Sequence, residues 1–279
     1  MDLPENLARA GAALRFNLQQ LALVAAGTKP GCRLKTSRDD LSAWWDRLTP
    51  HGLALAVGNL TISGASAPGR AGYREWAQAA PLTAATRGDC YLYVARSQQA
   101  ADRLRRLEED GASAAFGAEL GYPDCCIASF GQHEGARDDQ ILTMYDDVGL
   151  IPWQMNVSLI CFGWTLLQHF PCSQTCSASA SLARRYFENL YDKDAGYASK
   201  LAASLCTTVI HTRSFGVASA ITEDDGNRHH IRAVRLLDPE SPLASFLTEK
   251  SELGYLSPTE RRVGSISLPI SEARIFRFH

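Results

Sequence analysis

"LGYPDCCIASF", Leu120 to Phe130, sets two adjacent cysteines directly behind a proline and an aspartate. Upstream, Ala112 to Leu120 is built of good helix formers, and Gly121 supplies the left-handed residue that ends such a helix. Pro123 then stands where a first helical residue belongs, so a new helix, "PDCCIASFGQ", is predicted from that point. Cys125 and Cys126 fall in its first turn, where backbone N–H groups without helical partners and the positive end of the dipole favour thiolates and bound anions.

The design recurs in "QHFPCSQTCSASASLARRYFENL", Gln168 to Leu190. Pro171 is expected to open a second helix after an apolar segment, with Cys172 in its first turn, Cys176 one turn further along the same face, and His169 just ahead. Four thiolates from two helix starts are thus candidates for one metal centre. A [4Fe-4S] cluster held by thiolates is negative, and two positive helix ends would offset part of that charge. Zinc also accepts four thiolates, or three thiolates and an imidazole. One pair is vicinal and the other i,i+4, unlike the tight C-x2-C knuckles of structural zinc sites, which favours the cluster. Consecutive helical side chains point about 100° apart. That offset predicts three ligands, Cys126 or Cys125 with Cys172 and Cys176, and an iron left open to substrate as a Lewis acid.

The remaining cysteines invite a plainer reading. Cys90 opens the strand-like "CYLYVA", Cys161 lies in an apolar run and Cys206 begins "CTTVIH", so each is expected as a small buried hydrophobe. Cys32, in the turn-like "KPGCR", is expected to be more exposed. Eight cysteines in a chain of 279 residues do not suggest a disulfide framework, because a chain of this length needs no covalent staples.

Composition excludes several classes. With 46% hydrophobic residues the chain can bury a real core, and a net charge of -2 without a basic block gives no footprint for nucleic acid or an anionic membrane. "MDLPENLARAGAALRFNLQQ" lacks the basic flank of a secretory signal, and the longest apolar run, "VSLICFGWTLLQHF", is shorter than the roughly 20 residues of a membrane span. The expectation is a soluble, cytoplasmic protein with a small-molecule substrate. There is no C-x3-C-x2-C, ferredoxin run, thioredoxin C-x-x-C, Walker A loop, G-x-G-x-x-G, H-E-x-x-H or G-x-S-x-G.

Around the cysteine region the chain reads as α+β. Leu53 to Ser63 and Cys90 to Ala95 are strand-like, and "SQQAADRLRRLEED" is an amphipathic helix. The Pro/Gly/Ser-rich "SGASAPGRAGYREW" is a loop, usable as a lid. From Cys206, short strands with a turn at "EDDGN" and further strands in "VGSISLPISEARIFRF" predict a mostly antiparallel sheet. The expected organisation is an α/β subdomain over 1–109, a helical cysteine core over 110–205 and a strand-rich segment over 206–279.

"LGYPDCC", "PWQMN" and "HFPCSQTCSAS" together resemble an uncharacterised prokaryotic family marked by G-Y-P-x-C-C and H-x-P-C-S-x-x-C elements. The resemblance spans roughly Ala112 to Asn189 and implies that these elements work together around an iron-sulfur cluster. The leading expectation is therefore an iron-sulfur enzyme in which an open iron supports sulfur transfer or lyase and dehydratase chemistry on a small molecule, served by an electron or sulfur donor protein. Its ligands would be Cys126, Cys172 and Cys176, with Cys125 as fourth ligand or neighbouring thiol, and its catalytic side chains His169, Ser173, Tyr122 and Asn156. His169 is weighed as ligand, proton donor or core histidine, and Tyr122 as packing residue or acid. Two alternatives stay open: a zinc-stabilised structural or binding domain using the same four thiols, and a metal-free thiol redox protein with a vicinal disulfide at Cys125 and Cys126.

Overall fold

A computed structural model of the protein describes residues 12–64, 77–81, 88–133, 141–142, 145–146, 150–225, 228–237, 242–247, 251–257 and 260–279. The proposed lid and the Gly226–Asn227 turn fall largely or wholly outside these residues, as does the side chain of Cys161. The fold is α+β with mostly antiparallel sheets. The described residues of 1–65, 75–132 and 181–199 form one compact unit, and those of 133–180 and 200–279 form another.

In the first unit, helix α1 (Ala12–Ala25) leads through a turn at Gly27 into strand β1 (Gly31–Ser37). Helix α2 (Leu41–Leu48) follows, then β2 (Ala54–Gly64), β3 (Ala77–Pro81) and β4 (Asp89–Ala95). The strands make an antiparallel sheet in the order β1-β4-β2-β3. Helix α3 (Gln98–Glu109) begins at Ser97, whose hydroxyl accepts from the Ala100 N–H, and packs on β1, β2 and β4. Its apolar stripe places Ala101 and Leu104 against Ala56, Tyr93 and Ala95 in a core that also holds Leu120. Full burial of one such leucine stabilises by about 1.5–3 kcal/mol. Cys32 departs from expectation: Gly31 starts a strand instead of finishing a turn, so Cys32, Leu34 and Thr36 share the inward face and Cys32 is fully buried.

Helix α4 (Ser113–Glu119) and helix α5 (Asp124–His133) complete the first half of this unit. Helix α6 (Ser177–Lys193) and helix α7 (Ala195–Leu205) come later in the chain. The expected helical run over 110–205 is interrupted. The described residues from 150 to 176 contain a two-residue strand, β5 (Leu150–Ile151), and isolated 3-10 turns. Pro152, Pro171 and left-handed Gly163 punctuate this stretch too closely for a helix to propagate.

The second unit is built on an eight-stranded sheet ordered β11-β10-β9-β8-β7-β6-β12-β5. Its strands are β6 (Thr208–Thr212), β7 (Gly216–Asp225), β8 (Arg228–Leu237), β9 (Glu252–Ser257), β10 (Glu260–Val263), β11 (Ile266–Pro269) and β12 (Ala273–Phe278). All pairings are antiparallel except β12 with β5. The core gathers Ile210, Ala218, Ile231, Leu253, Val263 and Ile275. Cys206, expected to be buried, is exposed because it lies ahead of β6 instead of within it.

Candidate metal centre

The first cysteine pair is placed by two consecutive caps. Gly121 is left-handed at φ 78°, its N–H donates to Ala118 O at 2.9 Å, and the Tyr122 N–H donates to Gly117 O at 3.0 Å, closing α4 in a Schellman motif. A Cβ on Gly121 would stand 3.1 Å from the Pro30 ring, so the close approach as well as the backbone angle requires glycine. The Pro123 carbonyl accepts the N–H groups of Cys126 (2.9 Å) and Ile127 (3.0 Å), which starts α5 immediately after the proline. Cys125 and Cys126 therefore occupy the first turn as expected, with Asp124 adding a carboxylate that the dipole favours.

The second pair is held differently from the prediction. Pro171 does not open a helix; α6 starts at Ser177, and the Cys176 carbonyl accepts its first helical bond from the Ala180 N–H at 2.9 Å. The Cys176 N–H instead closes a tight turn on Ser173 O at 3.2 Å. Serine and threonine side chains in "CSQTC" offer the backbone local alternatives to helix, so the chain turns through the tetrad Ser173–Cys176 before committing. Cys176 thus sits at the N-cap and Cys172 in the loop ahead of it.

Among the described residues, the ligand atoms of Cys125, Cys126, Cys172 and Cys176 all lie within 4.8 Å of one another. The two vicinal sulfurs are 3.9 Å apart, so the angular offset of consecutive helical residues does not remove either from the group. Rotation about χ1 swings each Sγ around its Cβ and absorbs the difference. Cys126 and Cys176 are buried, Cys172 is half-buried and Cys125 is exposed. None of the four is in a disulfide. Four soft donors this close can hold a metal ion.

Each of the expected catalytic side chains has contacts of its own. His169 is buried, and its Nε2 lies 2.8 Å from the hydroxyl of fully buried Ser179 on the first turn of α6. That bond fixes the segment before Cys172 to the helix after Cys176. Asn156 is fully buried; its amide donates to Leu205 O at 2.9 Å and its side-chain oxygen accepts the Ser158 N–H at 3.1 Å. Ser173 is exposed and gives its carbonyl to the Cys176 turn. Tyr122 packs against the core of the first unit, and burial pushes its phenol well above the ordinary range while Arg33 pulls it down.

Three positioning residues carried no sequence signal. The Tyr145 hydroxyl donates to Pro171 O at 2.8 Å. The Tyr145 carbonyl in turn accepts from Arg274 Nε at 3.2 Å, and Arg274 Nη2 donates to Leu142 O at 3.2 Å. A buried guanidinium on β12 thereby braces the residue next to Cys172 through one tyrosine. Ser179 is the third. Tyr145 and Arg274 are separated from their partners by sequence gaps that no motif spans, whereas Ser179 closes the stretch that His169 opens.

Comparison with protein-family models, curated proteins and solved structures finds no match to this chain. No helix among the described residues is long and apolar enough to cross a membrane.

Proposed function

We propose that Cys125, Cys126, Cys172 and Cys176 bind one tetrahedrally coordinated zinc ion, and that the centre is the structural core of a zinc-stabilised binding domain. The observation that carries this reading is the spacing of the sulfurs. Zinc–sulfur bonds of about 2.3 Å place tetrahedral ligands about 3.8 Å apart. The vicinal pair stands at 3.9 Å and no pair exceeds 4.8 Å, so small side-chain rotations complete the tetrahedron. In a [4Fe-4S] cubane each thiolate rides on a different iron outside the core, which spreads the four sulfurs wider than around a single ion. Four protein ligands also leave no open coordination position, the mark of a structural rather than a catalytic zinc. Four thiolates on a dication leave a net charge of -2, and the first turn of α5 with the N-cap of α6 places positive backbone ends beside it. A reducing compartment such as the cytoplasm keeps the thiols available as ligands.

One observation favours a second reading. Cys125 is exposed while Cys126 and Cys176 are buried. A set of three inner thiols, Cys126, Cys172 and Cys176, would suit an iron-sulfur cluster with one open iron, the arrangement that the helical offset of Cys125 and Cys126 predicts. Such a cluster would supply a Lewis-acidic iron. His169, Ser173, Tyr122 and Asn156 would then be the nearby polar groups, and a small molecule with an electron or sulfur donor protein would be the partners.

Metal analysis of the chain purified without oxygen separates the two. The zinc reading expects a colourless protein with one zinc per chain, lost in Cys126→Ser and in Cys176→Ser. A brown protein containing about four irons and four acid-labile sulfides would overturn it and establish the cluster.

A further inference from the structure

The eight-stranded sheet carries a cleft of about 370 Å3 whose lining shares no residue with the cysteine site. That volume lies within the range of small-molecule pockets, roughly 300–1,000 Å3. Among the described residues two arginines, Arg235 and Arg277, line it, and no carboxylate does. The cleft is therefore a focus of positive charge in a chain whose overall charge is -2.

The strands aim these groups deliberately. In the β7–β8 pairing Ser219 faces Leu236 and Ala220 faces Val234, so Arg235 is the extra residue of a β-bulge. A bulge frees its residue from the ladder and redirects the side chain. Arg235 uses one N–H on Ala203 O near the end of α7, which orients a guanidinium that has five N–H donors in total. Arg277 stands directly across from Thr208 on one side and Leu150 on the other. The Thr208 and Thr222 hydroxyls, on neighbouring strands, are 2.8 Å apart. Only one of their two protons serves that bond, so the pair retains a donor for a ligand. Leu150 and Ile221 are large apolar side chains left exposed at 59% and 43%, and both line the same cleft.

We propose that this cleft binds a small organic oxyanion, a phosphomonoester or carboxylate carried on an apolar body. Arg235 and Arg277 hold the charged oxygens, the Thr208–Thr222 pair donates a further hydrogen bond, and Leu150 and Ile221 cover the apolar part. The site is independent of the metal reading, since its residues are separate from the four cysteines.

Cys206 lines the cleft and is an exposed free thiol, so it reports occupancy. The full chain is treated with iodoacetamide in chloride buffer at about 0.15 M, where surface charge is screened beyond about 8 Å. Alkylation of the Cys206 peptide is followed by mass spectrometry with phenyl phosphate, benzoate or neutral benzyl alcohol present. The expected result is at least about fivefold slower alkylation with one of the anions and no protection by the alcohol. The anion that protects identifies the head group. In Arg235→Gln, at an exposed position and with its fold checked by circular dichroism, half-protection should need about tenfold more anion, the loss of about one charged hydrogen bond. Arg277→Gln provides the second variant. Absence of protection by both anions, equal protection by benzyl alcohol, or unchanged half-protection in both arginine variants would each overturn the proposal.

Discussion

Lys29 offers the sharpest quantitative test of the first unit. Its side chain is fully buried, with Nζ donating to Gln20 Oε1 at 2.5 Å, and burial lowers its pKa from 10.5 to about 8 while Cys32 pulls it partly back. At about 1.36 kcal/mol per pH unit, a drop of that size means the folded state disfavours the ammonium by about 3 kcal/mol. The sign follows from proton counting. Below pH 8 both states carry the proton and the whole destabilisation is present. Between pH 8 and 10.5 the unfolded chain keeps a proton that the folded chain has released, so stability rises with pH. Cys32 acts in the opposite sense. Burial pushes its thiol from 9.0 up to about 12, so above pH 9 the unfolded chain loses a proton that the folded chain retains, and stability falls. The Lys29 gain is therefore visible alone only from pH 8 to 9, at about 1 kcal/mol, and is offset above that. Any metal-linked proton release is common to wild type and Lys29→Met, so the readout is their difference in urea-unfolding free energy at pH 7, 8, 9 and 10. At pH 7 the variant escapes the buried charge but leaves Gln20 Oε1 without this donor, which costs about 1–3 kcal/mol and brings the two proteins close together. From pH 8 to 9 wild type should gain about 1 kcal/mol on the variant, and because the Cys32 offset is common to both proteins the gain should continue toward about 3 kcal/mol by pH 10.5. A difference that stays flat from pH 7 to 10 would refute the assignment of a charged, buried Lys29.

Two further outcomes test the second unit. Tyr145→Phe and Arg274→Met should each weaken zinc binding about 10- to 100-fold, as loss of supporting contacts around metal ligands does, measured by competition with a chromophoric chelator; unchanged affinity in both would remove the brace behind Pro171 from the site. Gly264→Ala should destabilise by about 3 kcal/mol or more in urea unfolding, because the residue sits at φ 61° in the β10–β11 turn and its Cβ would lie 1.9 Å from the Phe246 carbonyl oxygen, whereas exposed Ser265→Ala next to it should stay within about 0.5 kcal/mol.

Local chemistry was readable and long-range chemistry was not. Gly121 and Pro123 announced the α4–α5 junction because a left-handed cap and a fixed φ are properties of single residues, and the structure uses both. The alternation in 206–279 announced the antiparallel strands for the same reason, since period two is written into consecutive positions. Pro171 misled because a proline permits a helix start without requiring one, and the hydroxyl-rich tetrad after it favours a turn. The α5 turn and the Cys176 N-cap therefore reach a similar electrostatic setting by different routes. The helical offset of Cys125 and Cys126 did not foretell that both sulfurs join the group for a related reason: helical angles describe Cβ directions, while ligand geometry is decided one rotatable bond further out. The residues that hold the second pair in place, Tyr145, Ser179 and Arg274, act through hydrogen bonds whose partners are fixed by tertiary packing, and no spacing rule reaches from β12 to Pro171. The four thiols could thus be named from sequence, but their convergence to within 4.8 Å of one another is a property of the folded chain, and the proposed zinc site rests on that spacing.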